Sequence, residues 1–283
     1  MVGSRAKKDI YGVCKLTGLS GKYVKAHLLP RALTKPTSPG APFVENGAGG
    51  RRPKRAWSSW YDTELVTADG EAILAEFDNW AITELRKHKL IWSGWGPLQV
   101  LPFGPDHDPI PGTDWGIRKL KDADFKKLRL FFLSLLWRAA ASTRDGFAEI
   151  TLPSEELAEL GSRLVARDPN PPAYFAVHLI QLFTLGEAHN LAPLSRTKRI
   201  PAYGDVQEHK IPFFRIYFEG LIAHIHPNSD SNYDGEKMGT LVLGQEEFTT
   251  VPTVKFEGSF QRENILNLVG EAWRDWPELM LKL

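Results

Sequence analysis

The sequence predicts an α+β protein, in which helices and strands occupy separate stretches of the chain. Apolar residues recur at three- and four-residue spacing in a few long segments, which is the period of an amphipathic helix. Short segments rich in β-branched and aromatic residues lie towards the carboxyl end and indicate strands. The 283 residues are 42% hydrophobic and 24% charged, so the chain is globular in composition and can form one large domain or two modest ones.

The first predicted strands lie on either side of a turn. Residues 11–16 and 23–29 carry apolar and β-branched side chains, and residues 17–21, Thr-Gly-Leu-Ser-Gly, have the composition of a turn. Pro30 ends the second strand, because proline has no N–H to donate to a sheet. Residues 34–55 contain Pro, Gly, Ser and basic residues without apolar periodicity, so we expect a mobile loop there.

Four helices are predicted from helical spacing of apolar side chains. The second of them has Asp122 or Asp124 as a candidate N-cap. The predicted helices cover residues 70–90, 122–142, 154–166 and 261–273.

Strands are predicted mainly in the last third of the chain. Residues 91–118 are dense in Pro, Gly and Trp and are expected to form a loop with a strand-like piece from Leu98 to Leu101. A tight cluster of polar residues at 228–232 separates two of the later strands. The later strands are predicted over residues 175–183, 213–218, 221–225, 240–243 and 253–256.

The net charge of +1 conceals a strong asymmetry along the chain. Residues 1–55 carry 12 basic and two acidic side chains, whereas the remainder carries 23 basic and 32 acidic ones. A basic segment on an acidic body can bind nucleic acid through its phosphates. It can equally dock against the acidic part of the same chain or against a partner.

Cysteine usage and the N-terminal segment indicate a cytoplasmic protein. Cys14 is the single cysteine, so no disulfide can form within the chain, which fits a reducing compartment. Residues 1–10 are polar and basic, without the apolar stretch of a signal peptide. The longest apolar stretch, residues 128–141, is too short to span a bilayer, so no membrane association is expected.

The N-terminal segment contains a motif with metal-site spacing. Cys14 is followed by Lys-Leu-Thr-Gly, and residues 24–30 read Val-Lys-Ala-His-Leu-Leu-Pro. This pattern resembles the zinc-ribbon form of the HNH endonuclease family, with a Cys-x-x-Cys pair, a strand carrying Ser/Ala-His-hydrophobic-hydrophobic-Pro, and a second Cys-x-x-Cys pair at a helix start. The other three cysteine positions correspond to Thr17, Thr67 and Gly70. Their side chains cannot replace thiolates, so a structural zinc is not expected.

The resemblance covers about half of the chain. It is specific around residues 14–30 and 60–80, and residues 131–139 look like a helix of largely uncharacterised bacterial HNH-like proteins. It implies an HNH-like basic ββα module over residues 1–92, without structural zinc. A helical segment and a mixed α/β portion would follow in an acidic domain over residues 93–283, whose role is open.

The resemblance also implies a catalytic site. His27 matches the histidine that activates water, and Mg²⁺ or Mn²⁺ would be held by Glu71, Asp78 and Asn79. Glu71 and Asp78 are two helical turns apart and therefore share a helix face. The helix histidine expected in the family is missing, because the nearest one, His88, lies too far along. His27 could instead be a strand-end histidine that bonds a backbone carbonyl.

Six basic residues are candidates for nucleic-acid binding. Those of residues 51–55 lie beside Trp57, Trp60 and Tyr61, and basic-plus-aromatic surfaces bind nucleic acid, although a solvated charge run has the same composition. The candidates are Lys25, Arg31, Arg51, Arg52, Lys54 and Arg55.

Three functions remain open from the sequence. The first is a metal-dependent DNA nuclease, which by analogy would act in phage or mobile-element defence. The second is an inactive pseudo-nuclease that serves as a DNA- or protein-binding adaptor, with a protein partner on the C-terminal part. The third is an enzyme of another class, in which His224 and His226, two residues apart on one strand, form half of a metal site with Asp230 or Asp234.

Overall fold

The structure, a computed structural model, describes residues 9–34, 43–47, 51–56, 59–187, 189–204, 207–228 and 233–281. Helices and a mixed sheet confirm the α+β class. The helices are α1 (Ala68–Lys87), α2 (Phe125–Ala141), α3 (Ser154–Ala166), α4 (Phe260–Asp275) and α5 (Pro277–Met280).

Seven strands form the main sheet, in the order β10-β11-β12-β9-β13-β8-β7. Every neighbouring pair is antiparallel except β13 and β9, which are parallel. The strands are β7 (His107–Pro109), β8 (Trp115–Leu120), β9 (Val177–Leu182), β10 (Leu194–Ile200), β11 (His209–Phe218), β12 (Leu221–Ile225) and β13 (Thr249–Val254).

Three small two-stranded sheets belong to the N-terminal part: β1 with β2, β3 with β6, and β4 with β5. Strand β2, which completes the hairpin with β1, begins inside the predicted turn 17–21, and only β3 lies within the predicted second strand, where it pairs with a strand just before α1. These strands are β1 (Tyr11–Val13), β2 (Ser20–Lys22), β3 (Ala26–His27), β4 (Phe43–Gly47), β5 (Arg51–Ala56) and β6 (Tyr61–Asp62).

Helix α2 lies at the centre of the molecule. Its sequence is apolar on nearly every side, and nearly all of its residues are buried. Asp124 caps its first turn by accepting a hydrogen bond from the backbone N–H of Lys127 at 2.9 Å. The largest buried cluster joins α2 to α1, to Leu28 of the N-terminal part and to Ile216 of the main sheet. Side chains from both sides of residue 92 therefore share this cluster.

The prediction of a loop without regular structure over residues 34–55 is wrong for part of that range. Strands β4 and β5 pair as an antiparallel hairpin with an irregularity between Glu45 and Gly47. This hairpin was not predicted because its composition is polar and basic. A two-stranded ribbon needs no buried face and therefore no apolar periodicity. Pro53 is tolerated there because each strand of such a ribbon has one unpaired edge.

Further local predictions are wrong for related reasons. The strand predicted over residues 240–243 is absent, because Gly235–Leu241 forms a 3₁₀ helix and residues 242–243 form a bend and a turn. The piece from Leu98 to Leu101 contributes a single bridge between Val100 and Thr184. Strand β7 and the first part of β8 lie in the predicted loop 91–118, and β10 was not predicted because its polar sequence forms an exposed edge. None of the described helices combines the length and apolar character needed to cross a bilayer.

Candidate functional site

The four positions of the predicted zinc motif meet at one corner of the N-terminal part. Cys14 is 1% exposed, and a Cβ added to Gly70 would lie 2.6 Å from its Sγ. Burial raises the pKa of the Cys14 thiol, but hydrogen bonds from Thr17 and from the backbone of Thr67 lower it, and the net shift is downward. The turn after β1 and the start of α1 are therefore in contact.

The donors at this corner do not fit a tetrahedral zinc. Cys14 is the one residue of the four that can supply a thiolate, and Gly70 leaves no room for a larger side chain beside Sγ and Val66. Close packing of Cys14, Val66 and Gly70 fills the space between the two segments instead.

His27 lies at the end of β3, opposite Tyr61 of β6, and its side chain is half-buried. Burial is the largest cause that lowers its pKa, and the positive charges of Lys25 and Arg31 lower it further. The charge of Asp78 acts in the opposite direction. The imidazole is therefore neutral at pH 7. Among the described residues, none hydrogen-bonds to its ring nitrogens.

Arg138 joins the strand end that carries His27 to the helix that carries the predicted acids. This α2 side chain is 1% exposed and donates to both carboxylate oxygens of Asp78, at 2.9 and 2.6 Å. The same Nη1 donates to the backbone oxygen of His27 at 3.1 Å, and Nη2 donates to Ser134 Oγ at 3.1 Å. This one buried guanidinium thus connects β3, α1 and α2 through its hydrogen bonds.

Glu71 lies on the same face of α1 as Asp78, and its carboxyl group is half-buried. Burial raises its pKa to about 7, which the positive charge of Arg138 opposes and the negative charge of Asp78 reinforces. His27 and Glu71 are thus both subject to the charges of Asp78 and Arg138. Three of the four predicted site residues, His27, Glu71 and Asp78, therefore lie close enough together for the same charges to act on them. Groups with shifted pKa values near neutrality are common in functional sites.

The predicted metal ligands differ in how well they fit a divalent cation. Both oxygens of Asp78 are held by Arg138, and Asn79 is exposed. Within the described ranges, no group of three or more His, Cys, Asp and Glu residues is arranged to hold a metal. Mg²⁺ keeps several waters and substrate phosphate oxygens, so it needs only one or two carboxylates. Glu71 fits such a role, since a cation would relieve its unfavourable ionisation.

The predicted nucleic-acid ligands near His27 are exposed. Lys25 Nζ lies 3.8 Å from the ring centroid of Tyr61, and Arg31 is on the surface next to β3. Arg144 stacks on the same ring at 5.7 Å. The side chains of the other four candidates, in β5, and the whole of Trp57 lie outside what the structure describes.

His224, His226 and Asp234, which were predicted as possible metal ligands, each contact another side chain of the C-terminal part. His224 accepts a hydrogen bond from Arg215 Nε at 3.2 Å, and His226 stacks on Tyr233 with centroids 3.9 Å apart. Asp234 pairs with Lys237 at 2.9 Å, and Asp230 is outside the described residues. His178, which sequence reasoning did not select, lies opposite His224 in the sheet.

Arg138 was also missed, although a signal was present. A charged residue inside an apolar helix such as α2 requires a buried partner.

Comparisons with protein families, with curated proteins and with solved structures found no match, so the functional argument depends on the geometry of this chain alone.

Proposed function

We propose that the chain is an HNH-like protein that binds DNA beside β3 and cleaves it with the help of Mg²⁺ or Mn²⁺. The observation that carries the proposal is the Arg138 clamp, which fixes the strand end of His27 against the helix face of Glu71 and Asp78. The meeting of Cys14, Thr17, Thr67 and Gly70 at one corner gives it independent support.

Each residue would have a defined role in hydrolysis. Lys25 and Arg31 attract the phosphate backbone to the surface beside His27. The neutral imidazole of His27 takes a proton from the attacking water, which an imidazolium could not do. Glu71 is the carboxylate that would hold the cation, and Arg138 keeps Asp78 and the strand end in place. When bound, the cation supplies Lewis-acid stabilisation of the phosphoryl oxygens.

A plasmid-cleavage assay in Mg²⁺ or Mn²⁺ tests this proposal. We expect nicking by the wild type, a loss of about 100-fold or more in His27→Ala, and a comparable loss in Glu71→Gln, because each removes a group that acts on the reacting atoms. His209→Ala, on β11, and Glu76→Gln, on α1 and paired with Arg167, are matched controls that should keep full activity. Equal activity of His27→Ala and the wild type would contradict the proposed base.

The second candidate is a DNA-binding adaptor without cleavage. It is favoured by the two hydrogen bonds from Arg138 to Asp78, which occupy both oxygens of one of the predicted metal ligands. The same assay separates the two functions. Retention of plasmid in a gel-shift experiment, with no cleavage by the wild type in either metal, would establish the adaptor, whereas absence of binding at low salt would exclude both.

A further inference from the structure

Helix α4 carries more apolar surface than the main sheet covers. Gln261 and Ala272 are buried on one side of the helix, and Ile265 beside them packs against the apolar cluster of the sheet that includes Tyr217. The adjoining side of the helix is apolar as well, yet its side chains are between 36% and 55% exposed. This α4 stripe consists of Leu266, Val269, Trp273 and, directly after the helix, Trp276.

The spacing of the α4 stripe is that of a coiled-coil seam. Its members are separated by three, four and three residues, so they follow one side of the helix. Tryptophan is enriched in protein interfaces and contributes much of their binding energy, and the stripe exposes two. Gly270 lies beside the stripe, and no atom of the described chain is within 4 Å of a Cβ added to it. Another backbone can therefore approach closely at this point.

The charges beside the stripe would complement a second copy of the same helix. Glu263 lies six residues before Val269 and Arg274 five residues after it, and at about 100° per residue both fall on one flank of the stripe. Arg274 now pairs with Asp275 at 2.9 Å, an exposed contact that solvent screens. If two α4 helices pack antiparallel about a twofold axis at Val269, Glu263 of each copy comes opposite Arg274 of the other.

The same axis pairs the two ends of the stripe. Arg262 lies seven residues before Val269, where the spacing of the stripe continues, and Trp276 lies seven residues after it. In the antiparallel pair, each Arg262 guanidinium would face a Trp276 ring of the other copy, which favours a cation–π contact. The N-terminus of each helix would also lie beside the C-terminus of the other, so the helix dipoles attract.

We propose that the α4 stripe is a homodimer interface, in which two copies of this chain pack their α4 helices antiparallel about a twofold axis at Val269. A surface that meets itself across a twofold axis must be self-complementary. The apolar stripe, the gap at Gly270 and the opposite charges of Glu263 and Arg274 meet that condition. Two heptads form a small interface, so we expect a reversible dimer with a dissociation constant in the micromolar range.

Sedimentation of the full chain over a micromolar concentration series tests the dimer. We expect the wild type to shift from monomer to dimer as its concentration rises. Val269→Glu should dimerise at least about tenfold more weakly, because two like charges would meet at the axis. Asn267→Glu adds the same charge at an exposed position of α4 outside the stripe, and this matched control should dimerise like the wild type. A wild type that stays monomeric, or unchanged dimerisation of Val269→Glu, would overturn the interface.

An exchange of charges tests the antiparallel arrangement. Glu263→Arg and Arg274→Glu should each weaken the dimer several-fold, and the double variant should recover most of the loss. The recovery cannot arise within one copy, because the two positions are about 16 Å apart along the helix. It cannot arise from the helix dipole either, since both replacements oppose the dipole. Additive weakening in the double variant would therefore contradict the proposed pairing.

Disulfide cross-linking locates the axis. Cys14, the single native cysteine, is buried, so a cysteine introduced on the surface meets little competition from it. Val269→Cys should form a covalent dimer on mild oxidation, because the axis brings the two copies of this position face to face. Asn267→Cys, on the same helix but outside the stripe, should remain mostly monomeric. Equal yields of covalent dimer from the two variants would exclude an axis at Val269.

Discussion

Gly70 lies where the start of α1 meets Cys14, and it leaves no space for a side chain. A glycine inside a helix normally costs about 1 kcal/mol relative to alanine. Here an alanine Cβ would lie 2.6 Å from Sγ of Cys14 and 2.9 Å from Cβ of Val66, so overpacking outweighs the propensity gain.

We therefore expect Gly70→Ala to lower the free energy of unfolding by about 1–3 kcal/mol, measured by urea denaturation. Gly146→Ala is the control, because no atom lies within 4 Å of its added Cβ. Equal stability of the two variants would show that the corner relaxes without cost.

Glu71 makes stability depend on pH. Its pKa is about 7 in the folded protein and near 4.5 when unfolded, so the folded state binds more protons between these values. Stability therefore falls as pH rises from about 4.5 to 7. Glu71→Gln removes this dependence and should be more stable than the wild type at pH 8, by about 2 kcal/mol after allowance for partial exposure.

Urea denaturation at pH 4.5 and pH 8 measures the effect. Glu76→Gln, on the exposed side of the same helix, should change stability by a similar small amount at both values. A Glu71→Gln variant that gains nothing at pH 8 would show that the carboxyl ionises as it would in water.

The sequence indicated which residues of the candidate site to examine but not what joins them. The resemblance to the HNH family implied that His27, Glu71 and Asp78 belong together, and the spacing of the two acids placed them on one helix face. The partner of Asp78 comes from α2, sixty residues further along the chain, and a pairing over that distance leaves no local pattern. The pKa of Glu71 likewise depends on burial, which the sequence does not report.

At the scale of elements, the Arg138 clamp connects β3, α1 and α2. We expect Arg138→Met to cost about 3 kcal/mol or more of unfolding free energy, because Asp78 would remain in a largely buried position without a partner. The double variant Arg138→Met/Asp78→Leu should recover a large part of this loss, since both charges are then removed.

The exposed pair of Arg167 and Glu76 is the control for this cycle. Arg167→Met should cost less than about 1 kcal/mol, because solvent screens that pair. If Arg138→Met were as mild as Arg167→Met, the clamp would contribute little to the position of His27.

Elements with a buried face were easier to predict than elements without one. Helix α3 and strand β12 have the predicted bounds, because their apolar residues follow a clear period. Strands β5 and β10 are polar and depend on hydrogen bonds to a neighbouring strand, which periodicity does not detect. The end of the 3₁₀ helix from Gly235 to Leu241 was predicted as a strand, because a short apolar run does not distinguish a strand from a helical turn.

At the scale of the whole molecule, the charge asymmetry predicts salt-dependent DNA binding. Each phosphate that the protein neutralises contributes about −0.9 to the slope of log K against log salt for duplex DNA. Replacing four residues of β5, Arg51, Arg52, Lys54 and Arg55, with glutamine should therefore make the slope shallower, by up to about 0.9 for every phosphate that these side chains neutralise in the wild type.

Fluorescence anisotropy over a range of salt concentrations measures these slopes. The control carries the same change in charge on the acidic portion, through glutamine at Lys237, Lys255, Arg262 and Arg274. It should keep the wild-type slope. Identical slopes for both variants would mean that the basic segment binds something other than DNA.

The position of β13 in the main sheet affects how the chain can fold while it is being synthesised. This strand, Thr249–Val254, lies between β8 and β9 and joins β7–β8 to the other four strands. During synthesis, β8 and β9 leave the ribosome long before β13 does, and each then has an unsatisfied edge. Until β13, the last of the described strands, has been synthesised, the nascent protein therefore has two open sheet fragments, and in that state chaperone binding and aggregation compete with folding.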